Sequence, residues 1–233
     1  MKKSVFQFWL FLPLVLTAFS FSAHAENFDW SGYYVGINAG VGRAYSQTTE
    51  NRYSGVTYNY SAGSATSNDY LVGVQFGGDL QRESWVIGLQ GMWDPSDMNS
   101  DHPYINGVTP GDRAFCETSQ LTTLNGRAGY LLSPATMVYA KVGWAWAKTK
   151  FVDKDTGLYL FRVEQRRDGP IVGLGTECRF AKNFSIFAEY SYIQFGKESA
   201  HPKLIFGPGS TDYAVTIDQH IETLLVGLNY RFK

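Results

Sequence analysis

From Leu224 to Phe232 the chain alternates with a period of two. Leu224, Val226, Leu228, Tyr230 and Phe232 fall on one side, and Leu225, Gly227, Asn229 and Arg231 on the other. Such alternation marks a β-strand with one apolar face. The same period recurs upstream and predicts seven further strands, at about 33–43, 69–80, 85–93, 121–131, 137–147, 171–180 and 184–195. In the first of these, Tyr33, Val35, Ile37, Ala39 and Val41 oppose Gly36, Asn38, Gly40 and Gly42. In the fifth, Val138, Ala140, Val142, Trp144 and Trp146 oppose Lys141 and Gly143. Three short connections (81–84, 133–136, 181–183) take turns with four long ones (45–68, 94–119, 148–169, 197–217).

Eight strands, each about 9–11 residues long and joined by short turns at one end and long loops at the other, fit a transmembrane barrel. The expected fold is therefore all-β: an eight-stranded antiparallel transmembrane up-and-down β-barrel. A soluble ligand-binding barrel would share the alternation but place the apolar face inside. Side-chain size decides between them, because an eight-stranded barrel has an interior only just wide enough for side chains. The glycine-rich face suits that interior, so the apolar face should look outward. Rings reinforce the choice. Tyr33, Trp85, Tyr130, Phe180, Phe184, Tyr230 and Phe232 fall at the short-turn end, and Tyr70, Trp93, Trp144, Trp146 and Tyr192 at the long-loop end. Two such belts are expected at the two membrane interfaces. The inward face then carries Arg127, Lys141, Glu177, Arg179 and Glu189. Buried charges persist when paired and hydrogen-bonded, so an ion-pair network across strands four to seven is expected, filling the barrel or lining a narrow solute path.

The N-terminus suggests the route to a membrane. Lys2 and Lys3 precede an apolar run from Val5 to Phe19, and Ala23-His24-Ala25 provides a small-x-small cleavage site. Gln7, Pro13 and the short run argue against a retained helical span. Residues 1–25 are expected to be a cleaved signal peptide, and 26–233 one outer-membrane barrel domain. Of 20 Lys and Arg, two lie in the signal, leaving 18 against 21 acids and a mature net charge of −3. That balance is too mild to imply nucleic acid or any strongly charged partner, so no nucleic-acid partner is expected. A mean hydropathy of −0.20 is no objection to a bilayer, because alternation averages out.

Candidate chemistry is sparse. Cys116 falls in the second long loop and Cys178 near the short-turn end of strand six. That separation exceeds the reach of a disulfide, so two free thiols are expected, with Cys178 facing lipid. His102, His201 and His220 lie in or beside the long loops without ligand spacing, so no metal or cofactor is implied, and solvated histidines are the expectation over haemin ligands. Asp218, His220 and Glu222 share one strand face but lack a serine nucleophile, which disfavours a lipid-modifying hydrolase and any enzyme. Tyr45, Tyr53, Tyr58 and Tyr60 stand among Ser, Thr, Asn and Gly in the first loop. That composition suits adaptable binding to an extracellular ligand or host surface.

Trp30-Ser31-Gly32-Tyr33-Tyr34-Val35-Gly36 with Asn38-Ala39-Gly40, then Asn125-Gly126-Arg127-Ala128-Gly129-Tyr130, and finally Val226-Gly227-Leu228-Asn229-Tyr230-Arg231-Phe232 carry a resemblance. Together they resemble strands of the small porin-family (opacity-like) outer-membrane β-barrel proteins, a family that includes surface antigens and haemin-binding proteins of Gram-negative bacteria. The resemblance implies a cell outer-membrane location in contact with lipid. It also implies insertion by the barrel-assembly machinery, which reads the closing strand at Val226, Leu228, Tyr230 and Phe232. The chain departs from the pattern in two places: Lys233 follows the terminal Phe, and Leu225 stands where an inward polar residue is usual. The functional expectation is a structural surface protein acting through its loops, with a narrow porin as the alternative.

Overall fold

The alternating segments pair in sequence order into one closed sheet. A computed structural model describes residues 28–103, 113–154, 160–201, 203–206 and 213–232; the expected signal at 1–25 lies outside them. The strands are β1 (Gly32–Tyr53), β2 (Val56–Arg82), β3 (Trp85–Pro103), β4 (Arg113–Ser133), β5 (Thr136–Lys154), β6 (Leu160–Ala181), β7 (Phe184–Ala200), β8 (Lys203–Phe206) and β9 (Tyr213–Arg231). Eight of them form an antiparallel ring. β5 pairs with β6, and β9 closes between β7 and β1, with Tyr34 opposite Arg231 and Val35 opposite Tyr230. The short β8 lies outside the ring order and pairs with the upper end of β6, Leu160 opposite Phe206.

The apolar face looks outward. Along β1, Tyr33, Val35, Ile37 and Val41 are exposed, while Tyr34 and Asn38 are buried. From Tyr33 to Val41 the apolar band covers about 26 Å of strand at ~3.3 Å per residue, or about 20 Å along the barrel axis at a tilt of ~40°. At the short-turn rim the rings touch one another. Trp85 meets Tyr130, Phe184 meets Tyr230, and Tyr230 meets Phe232, with centroids 5.2, 5.3 and 5.0 Å apart. Trp93, Trp144 and Trp146 are exposed at the opposite rim.

The strands run well beyond the bilayer, so the expected loops are shorter than the sequence suggested. Residues 45–68 form the tip of a single hairpin, closed by Ser54-Gly55 with φ of 52° and 81°. Positive φ at both central positions matches the hand of a tight hairpin turn to the twist of its strands. Likewise β3 and β4 stay paired from Asp97–Ser119 up to Pro103–Arg113, and β5 and β6 up to Lys154–Leu160. Above the membrane neither face meets lipid. Both faces become polar, as at Ser46, Gln47 and Thr48, and the period of two fades although pairing continues.

Space inside is made by glycine. Phe187 sits opposite Gly227 in the β7–β9 register, and a Cβ added at Gly227 would overlap the Phe187 ring, at 2.5 Å from its Cζ. Tyr139 lies opposite Gly175 in the same manner, again at 2.5 Å. Large rings and small residues thus interdigitate across neighbouring strands, as a close-packed interior requires.

Candidate functional site

The lumen is filled in tiers, beginning at the short-turn end. Trp30, just before β1, is wholly buried there. Its backbone N–H donates to Gln81 Oε1 (2.8 Å) and its indole N–H to the Pro134 carbonyl (3.1 Å). Arg231 lies over its ring at 4.7 Å and donates to its carbonyl at 3.1 Å. Val86, Met137 and Tyr139 pack around it.

Above Trp30 stands a closed ring of alternating charge. Arg127 pairs with Asp79 and, at 3.0 Å, with Glu177; Arg231 pairs with both carboxylates at 2.9 Å. Each cation therefore touches both anions, and the four charges sum to zero. Glu177 also accepts from Ser185 (2.6 Å) and Asn229 (3.0 Å), and Asn229 in turn accepts from Gln75 at 2.8 Å. Tyr34 covers the ring, with Arg127 and Arg231 at 4.7 and 5.0 Å from its centroid. Buried charge is tolerated in this arrangement because every carboxylate is paired and hydrogen-bonded.

A second ionic group lies above. Lys141 Nζ meets Glu189 Oε1 at 2.5 Å, and the Tyr139 hydroxyl donates to Glu189 Oε2 at 2.9 Å. Of the five charged residues marked in the sequence, the structure brings together Arg127 with Glu177 and Lys141 with Glu189. Arg179 does not join them. It donates to the carbonyls of Asp29 (2.5 Å) and Lys182 and lies over the Phe28 ring at 4.6 Å, anchoring the segment that carries Trp30. The network also reaches outside strands four to seven. Asp79 on β2 and Arg231 and Asn229 on β9 were missed, although strand parity already put Asn229 and Arg231 on the inward face.

The interior is not polar throughout. Ala44, Leu71, Met92, Leu121, Ala145, Ala147, Ile171, Ile193, Phe195, Ile221 and Leu225 form one buried apolar cluster within the lumen. Ile221, Ile193 and Ile171 stand in direct register across β9, β7 and β6, and Leu225 belongs to this layer. The expectation of a packed polar interior is corrected here. The ionic ring fills the lower lumen, the apolar cluster stands above it, and a further buried cation, Arg167, lies beyond that cluster with Glu198 at 3.4 Å. Beyond the layer, Arg167 donates to Gln219 Oε1 (3.1 Å) and the Ile217 carbonyl (2.7 Å), and Gln219 reaches Thr118 at 3.3 Å.

Other candidates are dispersed. Tyr45 faces outward on β1, and its ring stacks on His220 at 4.9 Å; Tyr192 flanks the same imidazole at 5.5 Å. Tyr53 ends β1, and Tyr58 and Tyr60 lie on β2 rather than in a loop; their side chains are outside the described ones, as are those of His102 and Cys116. Asp218, His220 and Glu222 alternate along the outer side of β9. Cys178 is a free thiol on the outward side of β6 but is shielded between Thr136 and Ile186, with the Thr136 hydroxyl 3.7 Å from its sulfur. Cys116 stands opposite Phe151 and Cys178 opposite Thr136, fifteen residues apart along β5. At ~3.3 Å per residue that is about 50 Å, far beyond a disulfide.

A closed eight-stranded sheet with a lipid-facing apolar band, two aromatic rims and a plugged lumen defines a transmembrane barrel of the bacterial outer membrane. The chain belongs to the outer membrane protein beta-barrel domain family, which it matches over residues 11–232. It is 26% identical over 220 residues to the 31 kDa outer-membrane immunogenic protein of Brucella melitensis, covering 91% of this chain and 87% of that one. Among solved structures it is similar to OprG of Pseudomonas aeruginosa, with a TM-score of 0.59, 13% identity, and 88% of this chain and 99% of that one covered. It is also similar to the outer membrane protease OmpT of Escherichia coli, with a TM-score of 0.56, 9% identity, and 89% and 99% covered. At such identities the likeness to both structures is one of fold alone. The protein is a Gram-negative outer-membrane barrel.

Proposed function

We propose that the protein is a catalytically silent surface barrel, a sealed membrane scaffold whose working part is the set of strand-extended hairpins outside the cell. The apolar layer inside the lumen carries this reading. An ion crossing Leu121, Ile171, Ile193 and Ile221 would have to shed its hydration in a packed, low-dielectric constriction whose apolar side chains return none of it; the buried charges at the same height are Asp94, opposite Leu121, and Glu189, opposite Leu225 and already paired with Lys141. Function is then left to the outer ends of the strands, where the hairpin bearing Tyr45, Tyr53, Tyr58 and Tyr60 would meet an extracellular ligand or host surface. The immunogenic relative in Brucella fits such exposure. Export through a cleaved 1–25 signal belongs to the same proposal. So does reading of Val226, Leu228, Tyr230 and Phe232 by the barrel-assembly machinery; their exposure on the outer wall supports the latter.

Surface presentation is testable at the hairpin tip. In a Cys116→Ser/Cys178→Ser background, Ser54→Cys should react on intact cells with a membrane-impermeant maleimide as fully as in lysed cells. Reaction only after lysis would place the hairpins on the periplasmic side and overturn the reading.

A further inference from the structure

Lys148 on β5 and Arg166 on β6 face one another directly across the sheet. Both are exposed and lie on the outward face, one step above the Trp146–Asp168 pair and two above Trp144. Like charges in opposed positions destabilise a sheet unless something lies between them. Inside the barrel such a conflict is answered. Arg127 and Lys141 are also cross-strand partners, but Asp79, Glu177 and Glu189 neutralise them inside. On the outer wall, Arg43 faces Glu222 and Lys197 faces Asp218. No carboxylate among the described residues forms an ion pair with Lys148 or Arg166. The nearest carboxylates on the same face stand one step below and one step above: Asp168 accepts the Trp144 indole N–H at 2.8 Å, and Glu164 lies directly opposite Lys150.

The height of this pair identifies its ligand. The Trp144 and Trp146 rings mark the outer membrane interface, and one more outward step adds about 6.6 Å along the strand. The two cations therefore stand at the level of the outer-leaflet headgroups. We infer that Lys148 and Arg166 form a docking site for a phosphate of an outer-leaflet glycolipid, with its acyl chains lying against Trp144 and Trp146. A guanidinium supplies the forked donor geometry that suits a phosphate, and an ammonium supplies a compact charge beside it. The phosphate turns an opposed like-charge pair into two attractions.

The test uses full-length protein refolded in phosphatidylcholine vesicles doped with diphosphoryl lipid A, with lipid retention read by native mass spectrometry. The wild type should retain the lipid, and Lys148→Gln/Arg166→Gln should retain it about 30-fold less, from roughly a factor of five per surface cation. The charge-preserving Lys148→Arg/Arg166→Lys variant should behave as wild type. Lipid A stripped of phosphate should not be retained, and inorganic phosphate should not compete at equal concentration. Equal retention by wild type and the Gln variant, or retention without phosphate, would overturn the site. Effective competition by inorganic phosphate would make it a soluble-anion site and overturn the lipid assignment. Loss of folding by the Gln variant in phosphatidylcholine alone would contradict the argument too, because removal of an opposed like-charge pair should leave stability unchanged or raised.

Discussion

Arg127→Ala should lower barrel stability by about 3–5 kcal/mol, the cost of leaving a buried charge without its partner. The loss should be read as a fall in the urea unfolding midpoint in vesicles. The ring of Arg127, Arg231, Asp79 and Glu177 holds two cations against two anions, so losing one cation alone leaves a net negative charge. Without Arg127, Arg231 alone must satisfy two carboxylates whose side chains are fully buried. Water cannot replace the missing cation, since Tyr34 and Trp30 close the ring on its sides. The charge-balanced double variant Arg127→Met/Glu177→Gln should be less damaging than Arg127→Ala, because no net charge is stranded. That ordering separates an electrostatic loss from simple removal of volume, and it is the coupling a double-mutant cycle measures. An unchanged midpoint in Arg127→Ala would show that the ring contributes nothing to holding the barrel together.

Trp30→Ala should cost a similar amount, about 3–5 kcal/mol, in the range for truncating a large buried aromatic residue. The indole fills the short-turn mouth of the barrel and donates to the Pro134 carbonyl in the β4–β5 turn, while the backbone N–H and carbonyl of the same residue hold Gln81 near the end of β2 and Arg231 at the end of β9. Its loss leaves a cavity bounded by Val86, Met137 and Tyr139 and removes the surface on which Arg231 rests. The folded form should still be recognisable by its gel mobility but should unfold at lower urea. Trp30→Phe should recover most of the packing and lose only the bond to Pro134. Equal damage from Phe and Ala would mean that the hydrogen bond, rather than the filled volume, matters at this position.

The membrane-spanning part of the fold was legible in the sequence because lipid enforces a strict rule on one face. Wherever lipid meets the wall, as from Tyr33 to Val41 or Leu224 to Phe232, the period of two is clean. Strand parity, the three short turns and both aromatic rims follow from that rule. Outside the bilayer the rule lapses. The 45–68 segment reads as a loop because Ser, Thr, Tyr and Gly stand there without an apolar face, although Ser54-Gly55 is itself a turn signal. The site was half legible for a related reason. Parity assigns Arg127, Lys141, Glu177 and Glu189 to the inside, but which charges meet depends on register and stagger around the ring. Asp79 and Arg231 come from β2 and β9, far from β4 and β6 in sequence, and the closed barrel brings them together. Trp30 lies outside every periodic segment, so no pattern marked it as a plug. The apolar lumen layer escaped for the opposite reason. Leu71, Leu121, Ile171, Ile193 and Ile221 sit on the face that parity calls inward, where a narrow interior leads one to expect glycine and polar groups.

The sealed lumen is tested most directly by ion conductance of the refolded wild-type protein in a planar bilayer, after gel mobility has established that it is folded. The tiers formed by Trp30, the charge ring and the apolar layer predict no current steps under an applied potential. Reproducible steps of uniform size from folded protein would contradict the account and make the barrel a narrow pore, with Arg127, Lys141, Glu177 and Glu189 along its path.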